Sequence, residues 1–536
     1  MSILSPNQRQ SRGRVTLLII ILVILAFLAV GSLVFLPFSP LNAVIATISP
    51  KNPSSTAGIG ITSKNNENIG LSDGSYAFDI GTDRVDRDIK IQASDLLRKQ
   101  DKAGAASLWN RAVGKTGNDT SDAEALIYLE DQRVLASGKP YVTLVVGTAL
   151  TGSSSNIGSG RDNLQGAYVA QKEYNDGLKL SGGMQVRLLI ANAGGSANNV
   201  PEVADRIVQA AQQDHTIAGM MGMPFSAYAS KAIPILTKAN IPMVSQTASS
   251  DSLTGASPFF FRVAPPNQDQ AFVAAAYAKE KLSAKRVAIF VDPKNTYSKS
   301  LADNFTRNFA TTDNVIVDTE NYTVQTGQQE LPTLLQKALS TSPDLIYFSG
   351  YSDDMAVLLI NLPASQSNVQ ILGGDALYQL NGYPSSAKAG FSRLHFTTFA
   401  YPDEWDIQGL GAQKPLFFSE YPAAFNPNGE HGGGTYGYTR PANDVILSYD
   451  ATYALLEGCK NALQADKNGV TPTGLRDGLA QIKGSRAIQG VSGQISFGDN
   501  GDPIRKAIVI LYVDPDGHIK LENNGVKSCF RLGCGG

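Results

Sequence analysis

From Tyr141 onward, short apolar runs alternate with helical patterns, and the alternation occurs twice; this constrains the fold more than any other feature of the chain. Strand-length runs separated by amphipathic stretches of helix length pair in parallel, with the helices as crossovers. In the first half the predicted strands are 142–147, 186–191, 217–221 and 242–245, with helices at 163–174 and 227–239. In the second half the strands are 287–291, 315–317, 345–349 and 370–373, with helices at 270–281, 298–309 and 332–338. A long helix near 444–463 and strands near 494–497 and 507–513 return the chain to each half. The expected fold class is α/β: two doubly wound parallel-sheet lobes facing a cleft within residues 139–536. Lobe 1 covers about 139–266 and 400–490, and lobe 2 about 267–399 and 491–521.

Three segments precede the lobes. Residues 15–37 carry no charge, enough for the roughly 20 apolar residues of a transmembrane helix. Arg9, Arg12 and Arg14 precede this stretch, and no basic residue follows until Lys51. The positive-inside rule then places residues 1–14 in the cytoplasm and the C-terminal body outside, as a single-pass protein of the cell membrane. A cleaved signal peptide is the other reading, with Val44, Ile45 and Ala46 as the small-residue site. Residues 38–88, rich in Pro, Ser, Gly and Asn, read as a flexible linker with a reach on the order of 40 Å. Residues 89–138 show helical periodicity and read as a short helical hairpin resembling one tetratricopeptide unit.

Ligands of open parallel sheets bind beyond the carboxyl ends of the strands, so the residues that follow each predicted strand are the candidates. After 217–221 comes Gly222-Met223-Pro224-Phe225-Ser226, directly before a helix, where the dipole and free N–H groups favour an anion. After 242–245 comes Gln246-Thr247-Ala248-Ser249-Ser250-Asp251. Helix capping is the competing explanation for Ser226 and Ser249. The same search in lobe 2 finds Tyr297, Tyr351 and Asp375, two rings and a carboxylate able to receive an ammonium.

Other classes of function lack their residues. The formal net charge is -2 with no basic stripe, which sets nucleic acid aside. His215, His395, His431 and His518 have no ligand-like spacing, so no metal site and no catalytic set is expected. Ser385-Ser386-Ala387-Lys388 and Lys115-Thr116-Gly117 imitate two penicillin-binding-protein motifs in reversed order. Gly158-Ser159-Gly160 lacks the third glycine of a dinucleotide fingerprint, and no cofactor is expected. Of the three cysteines, Cys529 and Cys534 are close enough in sequence for a disulfide in an oxidising compartment, and Cys459 lies on a predicted helix.

Four stretches carry a resemblance: Val145-Val146-Gly147-Thr148-Ala149-Leu150-Thr151-Gly152 with Gly166-Ala167; Ile241-Pro242-Met243-Val244-Ser245; Phe261-Arg262-Val263-Ala264-Pro265; and Ile495-Ser496-Phe497 with Asp499-Asn500-Gly501-Asp502. In this order they resemble the leucine/isoleucine/valine-binding protein family of ABC transporter receptors over roughly 140–521. The resemblance implies the type I periplasmic-binding-protein fold, three crossovers between lobes, and closure of the cleft on an amino acid delivered to ABC permease and ATPase subunits. It implies that Ser226 grips the ligand carboxylate, that Thr247 donates its backbone N–H, and that Ser249 replaces a threonine hydroxyl. Tyr297 and Tyr351 match aromatic positions, and Asp375 stands where the family has the glutamate that accepts the ammonium. Ile157 falls where branched-chain receptors cover the side chain with an aromatic ring, and Leu377-Tyr378 also differ. The same cleft in a ligand-sensing or surface-interaction protein without transport is the alternative.

Overall fold

The computed structural model describes residues 57–113, 122–366 and 368–522. The first strands, β1 (Gly60–Lys64) and β2 (Glu67–Ser72), form a hairpin that lies inside the stretch expected to be linker. Asn65 and Asn66 close it with positive φ (49° and 64°), the conformation a two-residue hairpin turn requires. Only Ile69 and Leu71 supply large buried apolar side chains there, too few for an alternating pattern to stand out. The linker reading is therefore corrected from residue 60 onward.

Three helices follow, α1 (Arg87–Arg98), α2 (Lys102–Val113) and α3 (Ala123–Ala136). They do not stand apart as a hairpin. Leu97, Trp109, Ile127 and Tyr128 share one apolar core with Leu164, Ala167 and Val186 of the α/β body. A buried charge network pins this segment. Lys90 donates to Asp122 (2.5 Å) and Glu124 (3.1 Å), Arg84 donates to Asp79 (2.6 Å), and Arg161 donates its Nη2 to the other oxygen of Asp79 (2.8 Å).

The rest of lobe 1 runs β3 (Tyr141–Thr148), α4 (Ser154–Asp176), β4 (Gln185–Asn192), α5 (Val200–Gln213), β5 (Ile217–Gly222), α6 (Ser226–Lys238), β6 (Met243–Ser245) and β7 (Phe260–Arg262). Its seven-stranded sheet has the order β1-β2-β4-β3-β5-β6-β7. The strands from β4 to β7 pair in parallel, whereas the β1–β2 hairpin adds antiparallel. Residues of β4 and β5 are buried along their whole length, as expected of strands covered on both faces.

Lobe 2 runs α7 (Asn267–Glu280), β8 (Arg286–Val291), α8 (Thr296–Phe309), β9 (Val315–Asn321), α9 (Leu331–Ser340), β10 (Leu345–Ser349), α10 (Ser352–Asn361), β11 (Gln370–Gly373) and β12 (Leu394–Thr398). The chain returns to lobe 1 through α11 (Glu404–Ile407), α12 (Phe417–Phe425), α13 (Asn443–Ala465), α14 (Pro472–Ala480) and the small hairpin of β13 (Ile488–Gly490) and β14 (Gly493–Ile495). It ends on lobe 2 with β15 (Val509–Val513) and β16 (Ile519–Leu521), giving the order β16-β15-β12-β11-β10-β8-β9. Again the inner strands are parallel and an antiparallel hairpin closes one edge, so both sheets are mixed rather than wholly parallel.

The lobes are joined at about 263–266, 399–403 and 496–508. The last crossover comes later than the expected boundary at 491. Val491, Ile495, Phe497 and Ile508 pack in the lobe 1 core, and Asp502 receives Arg262 at 2.6 Å. Among the described residues no helix is long and apolar enough to cross a membrane. The span expected at 15–37 and the pair Cys529 and Cys534 lie outside the described residues. Cys459 is fully buried, and burial pushes its thiol up to about 12, the state of an inert packing residue.

Candidate functional site

A small cavity of about 40 Å³ lies between the carboxyl ends of the two sheets, walled by Ser155, Ser159, Pro224, Phe225, Ser226, Thr247, Tyr297, Tyr351, Asp375, Ala376, Gln379 and Asp444. Five of the seven predicted site residues meet there: Ser226, Thr247, Tyr297, Tyr351 and Asp375. The wall does not include Ser249 or Ile157. Ser249 is fully buried with no partner for its hydroxyl, and Ile157 is half-buried on α4.

The lobe 1 edge is built to receive an anion. Ser226 opens α6 as its first helical residue. The N-cap is Phe225, whose side chain cannot cap; the Tyr228 N–H turns back to the Phe225 carbonyl (2.9 Å), which leaves the Ser226 and Ala227 N–H groups beside the positive helix end. That removes capping as the reason for a serine at 226. The Ser250 N–H donates to Ser226 Oγ at 3.0 Å, which turns the serine proton away from that bond. Thr247 spends its hydroxyl on the Pro224 carbonyl (2.8 Å), leaving its backbone N–H as what it can offer a ligand.

The lobe 2 edge is acidic. Asp375 follows β11 and is only 6 % exposed. Its Oδ1 accepts both Gln270 Nε2 (2.9 Å) and the Tyr297 hydroxyl (3.0 Å). Burial raises the Tyr297 phenol well above its ordinary value, and the Asp375 charge adds to this, so the phenol remains a donor. Burial raises the Asp375 carboxyl to about 7 despite these two bonds, and nearby Asp444 pushes the same way. Gly374 makes the arrangement possible: a Cβ there would lie 2.3 Å from Tyr297 Oη and 2.5 Å from Gln270 Oε1. The Tyr351 ring packs against Tyr297 (5.4 Å) and edge-on against Phe225 of lobe 1 (5.8 Å, 83°), carrying an apolar contact across the cleft.

Residues that the strand-end search passed over complete the wall. Ser155 and Ser159 are four apart on α4 and share its cleft-facing side with Asp162. Asp444, half-buried in the first turn of α13, accepts Ser159 Oγ at 2.7 Å, and Gln379 of lobe 2 reaches Asp162 at 3.2 Å. Asp353 of lobe 2 accepts the Ser155 N–H at 3.2 Å and its hydroxyl as well. Further out, Gln325 donates to Asn156 at 2.6 Å and Ser300 to Asp251 at 2.8 Å. The lobes are thus bonded directly to each other around the cavity.

Two α/β lobes on three crossovers, closed around a polar cavity at their strand ends, define a two-lobed solute-binding protein. The chain belongs to the periplasmic binding protein family, whose model matches residues 142–518, and within it to the type resembling Leu/Ile/Val-binding proteins. It is 26% identical over 366 residues to the Leu/Ile/Val-binding protein BraC3 of Rhizobium johnstonii, covering 67% of this chain and 88% of the relative. A Leu/Ile/Val-binding protein homolog of Brucella melitensis is 25% identical over the same shares. Among solved structures, the leucine binding protein LivK of Thermotoga maritima superposes with a TM-score of 0.58 at 23% identity, covering 71% of this chain and 97% of that one. The substrate-binding protein LivJ of Streptococcus pneumoniae, in complex with isoleucine, gives a TM-score of 0.58 at 19% identity, covering 71% and 99%.

Proposed function

We propose that this protein captures a small α-amino acid in the interlobe cavity and delivers it to ABC permease and ATPase subunits in trans. The body works outside the cytoplasm, and the apolar segment 15–37 holds it to the membrane. One observation carries the reading: a donor edge suited to a carboxylate, formed by Ser226, Thr247 and the start of α6, faces Asp375 with its Tyr297 and Gln270 partners across a single cavity. A zwitterion fits that polarity in one orientation, carboxylate on lobe 1 and ammonium on lobe 2. The relatives' designation as Leu/Ile/Val-binding proteins supports an amino acid. A ligand bridging both edges binds the closed arrangement better than the open one, and that difference is what a permease needs in order to recognise a loaded receptor.

Thermal unfolding of the purified full-length chain against amino acids, amides, organic acids and sugars tests this. The right ligand adds about 2.7–4 kcal/mol of stability at 100–1,000 times its dissociation constant. Stabilisation by a group of α-amino acids is the expected result. Stabilisation only by solutes without an ammonium overturns the head-group assignment.

A further inference from the structure

The cavity wall holds more carboxyl groups than the single ammonium of one α-amino acid can answer. Asp375 and Asp444 both line it, and no lysine, arginine or histidine does. Asp162 stands behind Asp444, and the neighbouring Arg161 is turned away to Asp79 and Asp83. Burial raises the Asp162 carboxyl to about 8, with Asp444 adding to the shift, and burial raises Asp444 as well. Both protein donors to Asp375 fall on Oδ1, so this buried side chain keeps Oδ2 for the cavity. A zwitterion brings its own carboxylate to the lobe 1 edge, and its single ammonium answers Asp375 alone. Asp444 is left with neutral donors, Ser159 Oγ (2.7 Å) and Asn443 Nδ2 (3.0 Å), and with no ion pair among the described residues.

An acid in the first turn of a helix has an ordinary use against the helix dipole, and Asp444 occupies such a place on α13. That use does not explain why Asp444 faces the ligand cavity or why a second carboxylate, Asp162, is set against it. A metal ion fits poorly. Among the described residues the cluster with metal-holding spacing is Asp514, Asp516 and His518, none of which lines the cavity. We propose that the ligand is a diamino acid, with its α-ammonium on Asp375 and a second, side-chain cation on Asp444. This assignment rests on the amino-acid reading above and narrows it. Asp444 then acts as the specificity residue, Asp162 is a second carboxyl beside it that ionises more readily once a cation is bound, and Ser159 orients the Asp444 carboxylate through the 2.7 Å bond to Oδ2.

Calorimetric titration of the full-length chain at pH 8 with lysine, ornithine, arginine and leucine decides the matter. At least one basic amino acid should bind 30-fold or more tighter than leucine. Asp444→Asn should cost that ligand tenfold or more while changing leucine less than threefold, and Asp162→Asn should move selectivity in the same direction by a smaller factor. Leucine binding as tightly as every basic amino acid overturns this inference and leaves the amino-acid reading standing. So does an Asp444→Asn variant that melts like the parent and binds the basic ligand unchanged. Absence of binding by all four overturns both.

Discussion

At the residue scale, Asp375 sets the chemistry of the cleft. Its carboxyl, raised by burial to about 7, is half neutral near physiological pH, and it must ionise to hold an ammonium. Affinity should therefore fall as pH drops below 7, by about tenfold per unit for one proton, and titrations between pH 5 and 8 would read this directly. The raised value also acts on folding. In the unfolded chain the carboxyl ionises near 3.8, so its favourable contribution to stability is complete below that value and is lost as pH climbs to about 7. The ligand-free melting temperature of Asp375→Asn should accordingly vary less between pH 4 and 7 than that of the parent. Asp375→Ala should weaken an ammonium-bearing ligand by about 30-fold or more, the effect of about 2 kcal/mol or more for removing one partner of a buried charge pair. Ser226→Ala should cost about 1.5–3 kcal/mol, the worth of a hydrogen bond to a charged group. Equal affinities in parent and variant would remove Ser226 from the carboxylate site.

At the scale of elements, the sequence was most legible where strands are continuous apolar runs. Leu345–Ser349 and Gln370–Gly373 match their expected bounds, and the candidates that directly follow strands, such as Ser226 and Asp375, reach the cavity. It was least legible where polar residues fold because of distant partners. The first nine residues of α4, Ser154 to Asp162, are mostly polar or glycine, and they become helical under a Ser153 cap and packing on α13. They carry Ser155 and Ser159, so the sequence reading lost two wall residues with them. Asp444 enters from a helix far along the chain, beyond what strand-end reasoning reaches. Ser249 follows a strand in the same way, yet its fully buried side chain is not part of the cavity wall. The N-terminal helices hold by the charge network around Lys90, which is wholly buried. Lys90→Met should leave Glu124 without its cation and Asp122 with Arg84 alone at 3.8 Å, and destabilise the fold by about 3–5 kcal/mol in denaturant titration, more than the loss of an exposed ion pair.

At the scale of the whole molecule, closure rests on direct bonds between lobes that include Gln379 to Asp162, Ser155 to Asp353, Gln325 to Asn156 and Ser300 to Asp251. The double variant Asp353→Ala with Gln325→Ala touches neither carboxylate of the ligand site. It should shift the free protein toward open forms, seen as a larger radius of gyration in X-ray scattering. Apparent affinity should drop in proportion to the lost closed fraction. An unchanged radius with unchanged affinity would show that these bonds follow closure rather than favour it. The lobes also differ in how their sequence is laid out. Lobe 2 takes nearly all its elements from one continuous stretch, whereas lobe 1 waits for α13, whose Ser448 bonds Asn163 at a separation of 285 residues and whose backbone meets Gly166 with no room for a Cβ. A chain emerging N-terminus first at about 5–20 residues per second exposes the uncovered side of α4 for about 15–60 s before its partner arrives. Lobe 2 in turn waits for β15, which pairs with β12 and comes later still, so neither half can close its core until nearly the whole chain is made, and the half that begins synthesis needs shelter while it waits.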